Sequence, residues 1–351
     1  MISQQHSSHD SGSPGSMPLT ERQMASQDSG EGISRRTWLA VSGVSAVSGV
    51  SVFSGVSVVS VANGDLPAAV MENRNQRSID AHVHVWTPDT KQYPLDRNYT
   101  VADMQPPSFT PQELMAHASQ SNVDRVVLIQ MSFYGVDNSY MLDVIENQPQ
   151  RYSGVAVIDS EDRLEDTIKD LKAKGVRGFR IVAGNQNPAT WLKGKSMKKM
   201  WGIAADMGMA ICPLMNPQHI DSINKMCRQY PRTRVVVDHF ARIGVTGKIS
   251  TDALGDLCRL ANHKNVYVKT SAFYALGKKK SPYMDLGPMI QKCRDAFGSQ
   301  RLMWATDCPY QVGGDHTYAD SMELVRSRLK FLSAEDRQWM LEKTAQKVFF
   351  S

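Results

Sequence analysis

The chain has 351 residues, of which 41% are hydrophobic and 21% are charged, and these proportions are ordinary for a globular protein. The formal net charge of +5 is scattered, and the longest basic run is Lys278-Lys279-Lys280. This distribution argues against nucleic-acid binding and fits a small anionic substrate. The five cysteines are odd in number and lack any Cys-x-x-Cys spacing, which predicts buried or free thiols rather than a disulfide framework.

The N-terminal part of the chain differs in composition from the rest. Met1–Gly32 is rich in Ser, Gln and Gly and has no apolar periodicity, which predicts disorder. The pair Arg35-Arg36 then precedes an uncharged run over residues 37–64. Ser60-Val61-Ala62 supplies small residues of the kind that a signal peptidase requires.

We interpret residues 1–62 as a disordered region followed by a twin-arginine (Tat-type) signal peptide, and residues 63–76 as a linker. This interpretation predicts a bacterial protein that the Tat machinery exports, already folded, to the periplasm. A retained membrane anchor is the alternative, because the uncharged run exceeds the ~20 residues that span a bilayer.

Short apolar runs alternate with longer segments of helical period from Arg77 onward. The predicted strands are Ile79–Val85, Arg125–Met131, Gly154–Ile158, Val176–Val182, Met209–Leu214, Arg234–Asp238, Val266–Thr270 and Leu302–Thr306. The predicted helices include Asn138–Asn147, Leu164–Lys174, Ile220–Tyr230, Asp252–Asn262, Met284–Phe297, Asp320–Leu332 and Ala334–Lys347. Eight strand–helix units predict that residues 77–351 form one α/β domain, a (β/α)₈ TIM barrel. An open doubly wound sheet is the alternative, but no glycine-rich phosphate loop follows the first strand.

Two histidines share one face of the first predicted strand. His82 and His84 are two residues apart, so their side chains project in the same direction. A buried imidazole needs a hydrogen-bond partner or a metal. The pair therefore indicates metal ligands, or donors directed at a carbonyl oxygen, rather than two core histidines.

Other polar side chains lie at or near the carboxyl ends of the remaining strands. They are Gln130 on strand 2, Arg180 on strand 4, Asp238 and His239 on strand 6, Lys269 on strand 7 and Asp307 after strand 8. Because barrel enzymes place their active sites at this end of the strands, we expect these groups to converge at one mouth.

These residues, in this order, resemble the amidohydrolase superfamily, and in particular its amidohydrolase-2 branch. The resemblance covers residues 77–350. The segments that carry it are His82-x-His84, Gln130–Asn138, Asp238-His239, Asn265–Ser271 and Thr306–Pro309. The strand-2 loop resembles that of 2-pyrone-4,6-dicarboxylate lactonase-like members, and the resemblance extends to sugar-lactonase-like hydrolases.

The metal-binding pattern of the superfamily is only partly present. Binuclear members carry a carboxylated Lys or a Glu on strand 4 and a His on strand 5, whereas strand 4 here offers Arg180 and strand 5 has no His. The resemblance therefore implies no two-metal centre. It implies either no metal, as in lactonases of this branch, or one divalent ion with Zn²⁺ preferred. His82, His84 and Asp307 would hold that ion. His219, after strand 5, either reaches the site or opens the next helix.

The same resemblance implies a hydrolase that opens a sugar-acid or aromatic-acid lactone. Asp307 would take a proton from the attacking water, and His82, His84 and His239 would stabilise the negative charge that develops on oxygen. A second group would bind the substrate, with Arg180 suited to a carboxylate. The other members of this group are Gln130, Tyr134, Asn138 and Lys269.

Three other functions remain open at the level of the sequence. A zinc-dependent non-oxidative decarboxylase and a lactone isomerase occupy similar scaffolds, although the decarboxylase would use a strand-5 histidine that is missing here. An exported solute-binding pseudoenzyme is the non-enzymatic alternative. The combination of three histidines with an acid argues against it, because a binding protein has no need of a water-activating acid.

Overall fold

The computed structural model describes residues 77–158 and 163–351. The predicted disordered region, signal peptide and linker fall on residues 1–76 and lie outside this part of the chain. Among the described residues, no helix combines the length and the apolar character that a membrane span requires.

Eight parallel strands form one sheet in the order in which they occur along the chain. They are β1 (Ser78–Val83), β2 (Val123–Ile129), β3 (Tyr152–Ala156), β4 (Val176–Val182), β5 (Ala210–Leu214), β6 (Arg234–Val237), β7 (Val266–Thr270) and β8 (Leu302–Trp304). All eight predicted strands are confirmed, with boundaries that agree within two residues. Runs rich in Val and Ile account for this agreement, because such side chains suit a strand that is covered on both faces.

The sheet closes into a barrel just beyond the ends of β1 and β8. Asp307 N donates to His82 O at 2.9 Å, and His84 N donates to Cys308 O at 2.9 Å. Val83 and Cys308 form a parallel bridge between these segments. The predicted (β/α)₈ barrel is therefore confirmed. The seam that closes it is formed by the main chain of the two histidines and the main chain of Asp307 and Cys308.

Helices follow the strands and cover the outside of the barrel. They are α1 (Pro111–Ala118), α2 (Ser139–Asn147), α3 (Leu164–Ala173), α4 (Lys195–Met207), α5 (Ile220–Gln229), α6 (Thr251–Arg259), α7 (Gly287–Phe297), α8 (Tyr318–Glu323), α9 (Ala334–Gln338) and α10 (Thr344–Phe349). Wider π-type turns extend α8 to Arg328 and join α9 to α10. Helices α1 and α4 are not among the helices named from the sequence.

Two apolar layers hold the barrel together. The larger one lies between the strands and the outer helices. The smaller one fills the interior with side chains such as Ile79, Val127 and Met303, and it includes Val348 and Phe349 from α10. Helix α10 therefore plugs one end of the barrel and leaves the other end for the site.

Candidate active site

A break in the alternation of β1 places both histidines inside the barrel. Ile79 and Ala81 belong to the interior layer, whereas Val83 belongs to the outer layer. The register with β2 shifts between Asp80 and Val83. An extra residue in one strand reverses which side chains point inward. As a result His82 follows Ala81 on the inside, and the rings of His82 and His84 meet with their Nε2 atoms 3.3 Å apart.

Three imidazoles surround one carboxylate oxygen of Asp307. Its Oδ1 atom lies 3.4 Å from Nε2 of His82, 3.4 Å from Nε2 of His84 and 3.8 Å from Nε2 of His239. Among the described residues this Oδ1 atom has no hydrogen-bond partner. The Oδ2 atom instead accepts a hydrogen bond of 2.7 Å from Tyr274 OH. The structure thus brings together all four residues that the sequence predicts to be catalytic.

The main chain at Asp307 is held in an uncommon conformation. Its φ angle is +71°, in the left-handed region that non-glycine residues adopt at a cost of roughly 1–2 kcal/mol. Such conformations persist where the surrounding structure fixes them, and they occur often at functional sites. Here the hydrogen bond from Asp307 N to His82 O fixes the residue beside the histidine pair.

His239 reaches the site from a left-handed turn. The four residues His239, Phe240, Ala241 and Arg242 follow β6 with φ angles of 49°, 52°, 54° and 58°. This turn brings the ring of His239 to 4.4 Å from that of His82, measured between centroids. His239 Nδ1 lies 2.8 Å from Ser271 Oγ, which orients the ring with Nε2 toward Asp307.

A buried charge cluster lies on the other side of His82. Lys269 Nζ is 3.0 Å from Asp238 Oδ1 and 3.1 Å from His82 Nδ1, and Arg180 lies 3.8 Å from Asp238 Oδ2. Burial opposes ionisation of Asp238, but the positive charges nearby, that of Lys269 above all, hold the pKa of this carboxyl well below its usual value. Burial, and then the charge of Lys269, hold the pKa of His82 well below its usual value, so its ring is neutral.

These contacts define where the protons of the two histidines lie. His84 Nδ1 is 2.9 Å from the carbonyl oxygen of Ile129 and must donate to it, so in the neutral ring Nε2 of His84 carries the lone pair. The ammonium of Lys269 has only donors, so His82 Nδ1 accepts from it and His82 Nε2 carries the hydrogen. Asp238 Oδ1 lies farther from this Nδ1, at 3.4 Å. His82 Nε2 is thus a donor and His84 Nε2 an acceptor, and the two atoms lie side by side.

Two overlapping groups of residues could hold a metal ion. One consists of His82, His84 and Asp307, and the other of His82, Asp238 and His239. The first group has the two imidazoles and the carboxylate that a zinc site uses. The positions of the protons fit a zinc site less well than the ligand types do. A metal-bound imidazole normally donates its second N–H to a carboxylate or carbonyl. His82 Nδ1 instead faces the ammonium of Lys269.

The predicted substrate-binding residues fall into two groups in the structure. Arg180 and Lys269 are buried inside the barrel beside Asp238. The other three hold the loop after β2. Gln130 Nε2 donates to Asp137 O, Asn138 Nδ2 donates to Val157 O, and Tyr134 OH accepts from Thr87 N. Contact of any of these five residues with a substrate stays a prediction.

His219 is engaged elsewhere. It lies in the turn that begins α5, and its Nε2 atom is 2.9 Å from the carbonyl oxygen of Gln186. Its ring packs against Trp191. Of the two roles considered for it, the opening of the helix is the one that the structure shows.

Two residues that hold the site, and one on the turn beside it, were not singled out by the sequence. Tyr274 and Ser271, from the segment after β7, hold Asp307 and His239. Arg242, on the left-handed turn, donates to Asn216 Oδ1 at 2.9 Å. It borders a cavity of about 340 Å³ at the mouth end of the barrel. The polar residues that line this cavity are Asn185, Asn216, Gln218, Arg242, Thr246, Lys248 and Ser250.

Comparison with known proteins identifies the family. Residues 79–350 match the Amidohydro_2 (amidohydrolase) family, so the chain belongs to it, and the expectation of a hydrolase-type enzyme is confirmed. An L-fucono-1,5-lactonase from Burkholderia ambifaria is 26% identical over 238 residues, which are 66% of this chain and 80% of that protein.

Solved structures confirm the fold. A probable 2-pyrone-4,6-dicarboxylic acid hydrolase from Acinetobacter baumannii, with citric acid bound, has a TM-score of 0.66 at 22% identity, covering 79% of this chain and 100% of its own. An amidohydrolase from Burkholderia multivorans with bound zinc has a TM-score of 0.63 at 18% identity, covering 78% and 99%.

Proposed function

We propose that the protein hydrolyses the lactone of a small organic acid. The observation that carries this proposal is the Oδ1 atom of Asp307, which accepts no hydrogen bond from the described residues and faces three imidazole Nε2 atoms. A buried carboxylate oxygen without a hydrogen-bond partner is suited to accept a proton. The lactonase relative supports this reaction class.

The proton arrangement supports a specific path for the water. A water between Asp307 and His84 can donate one hydrogen to Oδ1 and the other to the His84 Nε2 lone pair, which directs its oxygen at the lactone carbonyl. His82 Nε2–H then donates to the carbonyl oxygen as negative charge develops there. Asp307 takes the proton of the attacking water. When the ring C–O bond breaks, Asp307 returns that proton to the leaving oxygen, and the product is a hydroxy acid.

We further propose that the substrate carries an acidic group that Arg242 binds. The cavity beside Arg242 is lined largely by polar side chains, and a guanidinium in such a setting can bind a carboxylate through two hydrogen bonds. Arg180 is less suited to this task because its side chain is buried beside Asp238.

A panel of lactones tests both proposals. Proton release would be measured with aldonolactones, pyrone carboxylates and matched lactones that lack the carboxylate. We expect turnover of at least one carboxylated lactone and slower turnover of its uncharged match. Absence of turnover across the panel would contradict the reaction class. Equal rates for the matched lactones would contradict only the role of Arg242.

We propose that the reaction does not require a metal. If a divalent ion binds, His82, His84 and Asp307 would hold it, and it would supply Lewis-acid polarisation of the carbonyl. Because Lys269 occupies the Nδ1 side of His82, we expect weak or substoichiometric binding, and activity that survives dialysis against a chelator. Inactivation by the chelator, reversed by one equivalent of Zn²⁺ or Mn²⁺, would be the contrary result. His82→Ala should then lose metal and activity together.

The decarboxylase and isomerase alternatives predict other products on the same scaffold. Strand β5, Ala210–Leu214, carries no histidine, which disfavours the decarboxylase. Carbon dioxide release, or conversion of a lactone to an isomer without net proton release, would distinguish these activities from hydrolysis in the same panel.

A further inference from the structure

Two cysteines lie close to each other on neighbouring outer helices. Cys258 lies in α6 and Cys293 in α7, the helices that precede and follow β7. The Sγ atom of Cys258 is 3.8 Å from the carbonyl oxygen of Lys292, which places it against the turn of α7 that carries Cys293. Cys293 directly follows Lys292, so the two cysteines are neighbours across the packed pair of helices.

The two thiols differ in exposure and acidity. Cys258 is partly exposed, whereas Cys293 is buried. The neighbouring Cys293 thiol lowers the pKa of Cys258, whereas Cys258 together with burial raises the pKa of Cys293 well above its usual value. The accessible member is therefore the more readily ionised one, and the thiolate is the reactive form of a cysteine.

We propose that Cys258 and Cys293 form a modification site at which a disulfide oxidant cross-links α6 to α7. The oxidant is a small-molecule disulfide or the disulfide of a thiol–disulfide exchange protein. The proposal rests on the position of Cys258 against the turn of α7 that carries Cys293 and on the exposure of Cys258, and it does not depend on the lactonase reaction.

The exchange proceeds in two balanced steps. Cys258 Sγ, as the thiolate, attacks one sulfur of the oxidant, the oxidant S–S bond breaks, and its other sulfur leaves as a thiol after taking up a proton. The Cys293 thiol then loses its proton and attacks Cys258 Sγ, which releases the second oxidant sulfur as a thiol. Two protein thiols are oxidised to one disulfide, and one oxidant disulfide is reduced to two thiols.

Oxidised glutathione is the probe that tests this site. After incubation of the full-length protein, we expect the number of titratable thiols to fall from five to three. We also expect the mass to fall by two hydrogens, and the peptides of α6 and α7 to be joined until a reductant is added. The cross-link should raise Tm by roughly 5 °C or more, because it closes a loop of the unfolded chain.

Variants separate the two steps. Cys293→Ser should stop at a mixed disulfide of glutathione on Cys258, and Cys258→Ser should not react. Cys227→Ser, a matched change at a buried thiol in α5, should behave like the wild type. Five unchanged thiols, or a mixed disulfide that persists in the wild type, would overturn the proposal. Brief alkylation of the native wild type is a test that needs no variant, since it should modify Cys258 first and abolish the cross-link.

Discussion

At the residue scale, the two oxygens of Asp307 have separate surroundings. Tyr274 holds Oδ2, while Oδ1 faces the three imidazoles. The side chain is therefore fixed through one oxygen and presents the other to the site. This division explains how an acid that directly follows a strand can serve as a base instead of capping the next turn, which is a common role for such a residue.

Asp307→Asn should abolish turnover and leave folding and substrate binding nearly intact. The amide can still accept a hydrogen bond from Tyr274 but cannot accept a proton, and loss of a positioned base costs on the order of 10²–10⁴ in rate. Measurements of kcat and of thermal unfolding would check this. Asp315→Asn, in the exposed loop that follows, is the control. More than about a tenth of wild-type kcat in Asp307→Asn would remove the residue from this role.

Tyr274→Phe should lower kcat by roughly 10- to 100-fold with a smaller change in KM, because a hydrogen bond to a charged group contributes about 1.5–3 kcal/mol. Without this hydrogen bond, the carboxylate of Asp307 can rotate away from the attacking water proposed above. Tyr230→Phe is a matched control, since Tyr230 follows α5 and its hydroxyl accepts a hydrogen bond from the exposed side chain of Gln229. Equal kcat values for the two variants would show that Tyr274 does not position Asp307.

At the element scale, Asp80 joins β1 to β8. Its carboxyl accepts from the main-chain N and the hydroxyl of Thr306, from Tyr318 OH at 2.8 Å and from His82 N at 3.2 Å. Burial nevertheless raises the pKa of Asp80 to about 6. The seam beneath the site therefore contains an acid that is harder to ionise in the folded protein than in the unfolded chain.

The stability of the seam should fall as the pH rises. A pKa raised on folding stabilises the protein fully below the unfolded value and loses that contribution as the pH passes the folded value. Relative to Asp80→Asn, which cannot ionise, the wild type should lose about 2 kcal/mol of unfolding free energy between about pH 4.5 and about pH 8. Urea unfolding of both proteins at the two pH values measures this difference, and a constant difference would contradict the shift.

The strands could be predicted from the sequence, whereas the orientation of individual side chains at the site could not. Val- and Ile-rich runs such as Arg234–Val237 are a local signal, so the barrel follows from their number and spacing. The register shift of β1 and the left-handed turn at His239 depend on neighbouring strands. The contact of Tyr274 with Asp307 joins two loops that are 33 residues apart in the sequence. Motif order therefore predicted which side chains meet at the candidate site, but the residues that orient them required the three-dimensional structure.

At the scale of the whole molecule, the described barrel is preceded by 76 residues that carry the predicted export signal. We propose that the protein is exported by the Tat machinery, which moves folded proteins. Strands β1 and β8 form one seam from opposite ends of the domain, so the barrel is complete only when the whole domain has folded. A route that accepts folded cargo suits this topology.

Changing Arg35 and Arg36 together to Lys should leave the precursor in the cytoplasm. The Tat receptor reads a pair of guanidinium groups, which ammonium groups do not imitate. Cell fractionation followed by immunoblotting measures the distribution, and Arg22→Lys in the same N-terminal region is the control. Unchanged export of the double variant would show that residues 1–62 are not a twin-arginine signal.

The plug formed by α10 is the last element of the barrel to be synthesised. Val348 and Phe349 lie in the interior layer, and Lys269 Nζ sits 5.6 Å from the centre of the Phe349 ring. Both the plug and β8 leave the ribosome after the other seven strands. Until they arrive, water can reach Lys269 and Asp238 from below, and the nascent chain has an open edge at β1. Closure of this barrel therefore waits for the last strand and helix, and until then the free edge of β1 can pair with another molecule.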